Sequence, residues 1–363
     1  MKTCVKFLCG ISLLLGAQAV NAETTIEYGI TAAGQSMSKD SEKVTMQGLG
    51  SIDFTMDVDI IGGKLHIFVE GASDMEGTVP ALIEGANYDV GTAIDDMGKG
   101  RAQLSEFSYE MDFIGYSVEI GLRDLFSFID KNSTSNDETT QFMADPLVNN
   151  TTIAMPDYTV SALVNYGYKD RTNMTFMVAN AYGLSDNDTA DYADLVDFGE
   201  TPSGMNKGVF ALGELRMVDQ DVWLSVGTWV NTREVNPLKG SYLILDNASN
   251  EGYAWSLRVG QNDDAVGVKS YGSFSYSVAF GEDALGLGAS VQKPGVVSAT
   301  IDNITTFETY YRWQITDWLS LTPDVQYWKN ANGLLDTDTT TGQIGGSVLV
   351  YGLRMQMGSS STF

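Results

Sequence analysis

Segments in which apolar and polar residues strictly alternate recur along most of this chain. Residues 52–60 read IDFTMDVDI, so apolar side chains occupy the even positions, while Asp53, Asp57 and Asp59 occupy odd ones. Only a β-strand has a period of two residues. The Gly62-Gly63 pair then predicts a tight turn into a second alternating stretch, and the two stretches form a predicted β-hairpin.

The same alternation continues toward the carboxyl end. It returns at residues 106–113, 118–123, 253–259, 273–280, 307–315 and 351–357. Large apolar residues share one face of each segment, and the strand arginines fall on the other. After residue 22 no apolar run reaches the roughly 20 residues that a membrane-spanning helix needs. Many amphipathic segments, with 38 glycines and 43% hydrophobic residues, are typical of a transmembrane β-barrel.

The connections distinguish a membrane barrel from a soluble β-sandwich, whose strands also alternate. Tight turns predicted at residues 169–171, 219–221, 281–283 and 316–318 alternate with long polar loops at residues 73–100, 125–157 and 183–206. Short periplasmic turns and long extracellular loops characterise outer-membrane barrels. We therefore predict an all-β fold, a transmembrane antiparallel β-barrel of about 16 strands that encloses an aqueous lumen. Residues 240–245 are the least secure strand.

The first 22 residues have the features of a secretion signal. Lys2 and Lys6 precede an apolar run at residues 7–15, and Val20-Asn21-Ala22 forms a small-residue cleavage site. The alternative, an amino-terminal membrane anchor, would need a longer apolar run. We predict a signal peptide at residues 1–22, a single barrel domain at residues 23–363, and export through the periplasm to the outer membrane.

Composition excludes several classes of function. Cys4 and Cys9 both lie in the predicted signal, so the mature chain would have no disulfide, thiolate metal site or cysteine nucleophile. Without the two signal lysines, 19 of the 21 basic residues are set against 47 acidic ones, a balance that does not favour nucleic acid. We predict no cofactor and no metal site.

Three stretches resemble the OprB-type carbohydrate-selective porins. They are residues 62–67 (GGKLHI), residues 253–290 with the motif DALGLG, and residues 319–327 (LSLTPDVQY). The resemblance implies a channel of about 16 strands for monosaccharides or related small polar solutes, narrowed by inward-folded loops. The chain departs from the family pattern after Tyr327, where Trp328-Lys329-Asn330 replaces a proline-containing continuation. It is also more acidic than a neutral-sugar pore needs to be.

The predicted inner face carries the candidate pore residues. One predicted hairpin, residues 106–123, has four carboxylates and Arg123 on its polar face, where opposed charges would set a transverse field across a narrow lumen. The alternative is a wall network that only satisfies charge within the barrel. The candidate pore-lining or solute-binding residues are His66, Glu70, Glu106, Glu110, Asp112, Glu119, Arg123, Trp229, Arg258, Arg312 and Arg354.

Three further features have competing interpretations. His66, the only histidine, either lines the pore or makes a structural hydrogen bond on the wall. Trp223 and Trp229 either face inward, where sugar rings could stack on them, or belong to an aromatic girdle at the lipid interface. A loop rich in aspartate could bridge a divalent cation, but its spacing fails the EF-hand pattern and favours a solvated loop. The aspartates are Asp186, Asp188, Asp191, Asp194 and Asp197.

The expected function is passive diffusion of carbohydrates and other small polar solutes, without enzymatic activity. The alternatives are a barrel-embedded hydrolase and a structural or adhesive barrel. The arginines at positions 123, 258, 312 and 354 are expected to face the lumen, because each would cost about 2–4 kcal/mol in lipid. The loop at residues 125–157 is expected to fold inward and narrow the channel. Since carboxylates outnumber cations on the predicted inner face, we expect a preference for cations over anions.

The expected partners follow from an outer-membrane location. They are the lipid bilayer with its lipopolysaccharide, saccharides or other small polar solutes, and the outer-membrane assembly machinery. Phe363 ends an alternating strand and resembles the terminal aromatic signal that this machinery recognises. Both a monomer and a homotrimer are compatible with the sequence, and nucleic acid is not an expected partner.

Overall fold

A computed structural model describes most of the chain beyond the predicted signal. The described residues are 23–39, 42–60, 62–83, 85–89, 93–95, 98–168, 172–184, 192–197, 199, 207–219, 221–233, 236–248, 252–263, 267–295, 303–331 and 347–363. Residues 1–22 and the aspartates at positions 186, 188 and 191 lie outside the described residues.

Sixteen antiparallel strands form one closed barrel, which confirms the predicted fold class and strand number. Each strand pairs with its neighbours in sequence, and β1 pairs with β16 to close the cylinder. The strand at residues 240–245 is real and forms the middle of β10. The strands are β1 Thr24–Lys39, β2 Glu42–Ile60, β3 Gly63–Ala72, β4 Ala102–Phe113, β5 Tyr116–Arg123, β6 Thr159–Tyr168, β7 Thr172–Asn180, β8 Val209–Asp219, β9 Val222–Asn231, β10 Leu238–Ala248, β11 Tyr253–Asn262, β12 Val268–Phe280, β13 Asp283–Pro294, β14 Ile304–Thr316, β15 Leu319–Lys329 and β16 Ser347–Thr362.

The two faces of the strands follow the alternation in the sequence. In the β2–β3 pair, Phe54 lies opposite Val69 on the outside, and Asp57 lies opposite His66 on the inside. Large apolar side chains are exposed around the outer surface, as lipid contact requires, while polar side chains are buried within the cylinder. Exposed outer residues include Ile52, Phe107, Ile120, Phe176, Phe274, Phe307, Trp313 and Tyr351.

The two ends of the barrel differ in the length of their connections. Tight turns join β2 to β3, β4 to β5, β12 to β13 and β14 to β15, and Gly115 adopts the positive φ of 90° that its turn requires. Longer connections lie at the opposite end. Within the described residues, three short α-helices and the 3₁₀-helix Leu125–Ser127 belong to these longer connections. The α-helices are α1 Val79–Leu82, α2 Asp145–Val148 and α3 Tyr192–Val196. No helix in the described part of the chain is long and apolar enough to cross a membrane.

The core of the molecule lies inside the barrel, between the wall and two long loops. We call residues 73–101 inner loop 1 and residues 124–158 inner loop 2. One buried apolar cluster joins both loops to β14, β15 and β16, and includes Val79, Phe142, Leu147, Tyr310 and Trp328. A second cluster joins inner loop 2 to β6 through β10. Inner loop 2 is therefore packed against two different parts of the wall.

Candidate pore constriction

The backbone of inner loop 2 is held by acidic side chains of the wall. The carboxylate of Glu308 on β14 accepts hydrogen bonds from Met143 N at 2.7 Å and Ala144 N at 2.9 Å. Asp246 on β10 accepts from Ser133 N at 3.0 Å. A loop buried inside a barrel has no sheet partner, so these carboxylates satisfy backbone donors that would otherwise be costly to bury.

Arginines of the wall bind the carbonyl groups of the same loop. Arg258 donates to Leu147 O and to Val148 O, the latter at 2.9 Å. Arg354 donates to Glu138 O at 2.6 Å and to Gln141 O at 2.7 Å. Both arginines are only 1% exposed. They face inward, but their charge is used to hold the loop and is not open to a passing solute.

Arg258 also forms a buried ion pair. Its Nη1 atom lies 3.0 Å from Oδ2 of Asp130 in inner loop 2, and the two side chains are almost fully inaccessible. The same carboxylate oxygen accepts a hydrogen bond from Asn150 N at 2.9 Å. The ion pair therefore fixes two points of the loop to β11.

Trp229 faces inward, but the expectation that sugar rings could stack on it needs correction. Its side chain is 2% exposed and stacks on Phe210 with ring centroids 6.3 Å apart, within the apolar cluster that includes Ile129 and Ile153 of inner loop 2. The loop covers the ring. Trp223, nearer the tight turn to β8, lies 5.0 Å below the guanidinium of Arg216.

The predicted hairpin carries a connected charge network. Both ring nitrogens of His66 contact carboxylates, Nδ1 with Asp57 at 2.6 Å and Nε2 with Glu106 at 2.7 Å. Arg123 pairs with the same Glu106 and has its Nε atom 3.0 Å from Oε1 of Glu119. These contacts favour the interpretation that the four residues form a network on the barrel wall. Each of His66, Glu106, Glu119 and Arg123 pairs with another group inside the barrel.

The other candidate residues are spread along the inner face. Glu70 accepts hydrogen bonds from Gln103 and Ser105. Glu110 is partly exposed, and Asp112 is exposed next to the tight turn. Arg312 lies on the inner face of β14, where its nearest described acceptor is the carbonyl of Glu282 at 3.5 Å. These residues do not converge on one point.

Inner loop 1 also folds into the lumen, whereas only residues 125–157 were expected individually to do so. Ala86 O accepts hydrogen bonds from Gln35 on β1 at 3.0 Å and Gln326 on β15 at 2.9 Å. The two inner loops bind each other, since Tyr88 N donates to Met143 O at 2.9 Å. The length of inner loop 1 is a sequence feature that could have indicated an inward fold. The two glutamines that hold the loop could not be identified in this way, because they lie on strands that are distant from it in the sequence.

A small polar cavity remains where the two loops meet the wall. Its volume is about 100 Å³. Its lining residues are Tyr88, Asp124, Phe126, Ser127, Lys131, Asn136, Glu138, Val148, Asn149, Asp157 and Tyr158.

The acidic groups of the loops near this cavity are perturbed by burial. Desolvation, reinforced by the nearby charge of Glu106, raises the pKa of Asp124 to about 6. Desolvation likewise raises the pKa of Asp89 to about 6, against the hydrogen bond from Ser51. Burial lowers the pKa of Lys131, although Asp124 opposes the shift. The constriction therefore contains carboxyl groups that titrate nearer to neutrality than exposed ones.

The acidic outer loop holds a lysine and does not form a metal site within the described residues. The Nζ atom of Lys207 lies 3.0 Å from Oδ1 of Asp194 and 3.5 Å from Oδ2 of Asp197. Nowhere in the described ranges do three or more potential ligands cluster to hold a metal ion. Both described aspartates of the acidic loop therefore serve the ion pair with this lysine.

Comparison with known proteins agrees with this architecture. The family model described as "Carbohydrate-selective porin, OprB family" matches residues 259–358, which include the LSLTPDVQY stretch and most of the stretch around DALGLG. The carboxyl-terminal part of the chain therefore matches the family of carbohydrate-selective porins. The GGKLHI stretch, which also supported the resemblance, lies outside the matched range. No curated protein sequence matches this chain.

Solved structures share the barrel at low sequence identity. The chain is similar to OprB of Pseudomonas putida in a high-pH structure, with a TM-score of 0.67, 14% identity and 97% coverage of both chains. A low-pH structure of OprB from the same organism has a TM-score of 0.52 at 13% identity, and the match covers 97% of this chain and 96% of that chain. An anion-selective porin from Comamonas acidovorans has a TM-score of 0.58 at 11% identity, and the match covers 93% of this chain and 100% of that chain. At these identities the likeness concerns the fold alone.

Proposed function

We propose that this porin passes neutral saccharides and other small polar solutes by passive diffusion, and that it prefers cations to anions among small ions. One observation carries the proposed charge preference. Arg258 and Arg354 are bound to carbonyl groups of inner loop 2 and almost fully buried, whereas Glu110 and Asp112 of the inner face remain partly or fully exposed. Acidic groups along a narrow pore favour the entry of cations.

The accessible acidic groups of the inner wall also support a preference for cations. Glu110 and Asp112 are open on the same side of the barrel. Screening acts over about 10 Å at 0.1 M salt, so the field of these groups persists inside a narrow lumen. Similar barrels need not share this selectivity, since it depends on which side chains the inner loops leave exposed.

Permeation of saccharides by this porin is tested by liposome swelling. Proteoliposomes containing the purified porin should swell in isotonic glucose, and the swelling rate should fall as the saccharide grows from one ring to three. Liposomes without protein provide the baseline. Swelling at the baseline rate in every saccharide would favour the adhesive or structural alternative.

We also propose the remaining features expected from the sequence. Residues 1–22 would be removed as a signal peptide, leaving one barrel domain in contact with lipopolysaccharide. Assembly machinery would recognise the strand that ends at Phe363, and a trimer would be compatible with the fold. A barrel-embedded hydrolase is disfavoured because His66 is already hydrogen-bonded to Asp57 and Glu106. A hydrolase would need a histidine free to activate a nucleophile.

A further inference from the structure

The cavity between the inner loops combines aromatic rings with acidic groups. Tyr88 comes from inner loop 1, and Phe126 and Tyr158 come from the two ends of inner loop 2. Asp124, Glu138 and Asp157 line the same space.

Tyr158 is buried without using its hydroxyl group. The residue is 7% exposed and lines the cavity, and its ring is tilted against Phe68 with centroids 6.4 Å apart. Across the described ranges its hydroxyl has no hydrogen-bond partner. A buried phenol normally finds a partner, so this group is available to a ligand in the cavity.

The charges around the cavity are unbalanced. Asp124 accepts hydrogen bonds from Phe126 N at 2.9 Å and Ser127 Oγ at 3.2 Å. Among the described residues, the carboxyl of Glu138 meets no donor except its own backbone N–H. Among the lining residues, Lys131 is the one basic side chain against three acidic ones. Arg354 of the wall also approaches Glu138, but it donates to the backbone carbonyl and not to the carboxyl. The lining therefore favours a ligand with a positive charge.

We propose that this cavity binds the ammonium group of a small hydroxylated amine, such as an amino sugar, as it passes the constriction. Aromatic faces and carboxylates together are the groups that recognise ammonium ligands. A cavity of about 100 Å³ has room for about three waters at ~30 Å³ each. It therefore takes the ammonium head, while the sugar ring stays in the channel. This assignment rests on the proposed diffusion function and specifies one of its solutes.

Binding is coupled to the release of protons. Desolvation, with the charges of Asp137 and Asp89, raises the pKa of Glu138 well above its usual value. An entering ammonium group supplies the counter-charge that favours the ionised carboxyl, and the displaced proton leaves to solvent. The groups facing the site are Tyr88 and Asp89 of inner loop 1, Asp124, Lys131, Asp137, Glu138, Asp157 and Tyr158 of inner loop 2, and Glu106, Arg123, Arg216 and Arg354 of the wall.

Block of single-channel current by glucosamine and by glucose tests the assignment. The two sugars differ in one ammonium group, so glucosamine should half-block the wild-type porin at a concentration at least about tenfold lower than glucose does at neutral pH. Glu138→Gln should weaken glucosamine block by about tenfold and leave glucose block unchanged. Glu282→Gln makes the same chemical change in the exposed β12–β13 turn and should affect neither.

Failure of this assignment is distinguishable from failure of the porin function. Equal block by the two sugars in a conducting, saccharide-permeable channel would overturn the ammonium site alone. An absence of conductance would overturn both. If the Glu138→Gln variant does not assemble, the pH dependence of glucosamine block in the wild-type protein provides the test instead. Glucosamine block should weaken between pH 7 and pH 5 as Asp124, with a pKa of about 6, becomes protonated. A pH-independent block would contradict the assignment.

Discussion

At the scale of single residues, the buried ion pair between Arg258 and Asp130 attaches inner loop 2 to β11. Arg258→Met should leave the Asp130 carboxylate buried without its partner, which costs about 3–5 kcal/mol. We expect the loop to detach and single-channel conductance to rise. Arg312→Met is the matched control, because its guanidinium contacts the carbonyl of Glu282 and not the loop.

The double variant Arg258→Met with Asp130→Asn separates loss of the pair from loss of the arginine. Replacing both charges removes the unpaired buried carboxylate, so conductance should return toward the wild-type value. A double variant that conducts as much as Arg258→Met alone would mean that the other hydrogen bonds of Arg258, to Leu147 O and Val148 O, hold the loop.

A glycine beneath an aromatic ring gives a second prediction for a single residue. A Cβ atom at Gly286 would lie 2.1 Å from the ring of Tyr310, which packs edge-on against Phe142 of inner loop 2 with centroids 5.0 Å apart. Gly286→Ala should therefore displace the ring and destabilise the barrel by about 1–3 kcal/mol. Gly272→Ala, whose nearest neighbour is 3.9 Å away, is the control. Thermal unfolding monitored by circular dichroism compares the two.

The sequence predicted which way some of these residues point, but not what they touch. A period of two was enough to assign Arg258 to the inner face, whereas it left Trp229 with two possible orientations. The partner of Arg258 is Asp130, which lies 128 positions away. Trp229 is covered by a loop that belongs to a different part of the chain. Local patterns carry no information about such contacts, so the buried state of both residues required the fold.

At the scale of elements, we expect inner loop 2 to set the size of the opening, because it packs inside the barrel against two parts of the wall. Deleting residues 136–141, which bind Arg354 through two carbonyl groups and lie beside the cavity, should raise single-channel conductance. The wall does not depend on these residues for strand pairing, so the β-sheet circular dichroism should be unchanged. An intact barrel with wild-type conductance would show that the loop does not limit the current.

The strands were more predictable than the loops for a physical reason. Alternation and tight turns are local, and they gave the closed sixteen-stranded barrel, including β10. The inward fold of residues 125–157 was expected from length alone. The inward fold of inner loop 1 was not, because its attachment depends on Gln35 and Gln326 from strands at opposite ends of the sequence.

At the scale of the whole molecule, the charge of the constriction depends on pH. Asp89 and Asp124 both have pKa values raised to about 6. They carry negative charge above that pH and lose it as pH falls through 6, whereas exposed carboxyl groups stay ionised down to about pH 4. The cation preference should therefore weaken between pH 7 and pH 5. Permeability ratios for potassium over chloride at the two pH values measure the change, and a constant ratio would mean that other carboxylates determine selectivity.

The sign of the ion selectivity tests the central claim that Arg258 and Arg354 are committed to inner loop 2 while carboxylates line the passage. The measurement is the reversal potential of the purified protein in a planar bilayer under a gradient of potassium chloride at neutral pH. We predict a potential of the sign that shows preference for potassium over chloride. A clear preference for chloride would contradict the account, because it would mean that arginines, and not carboxylates, face the ions at the narrowest point.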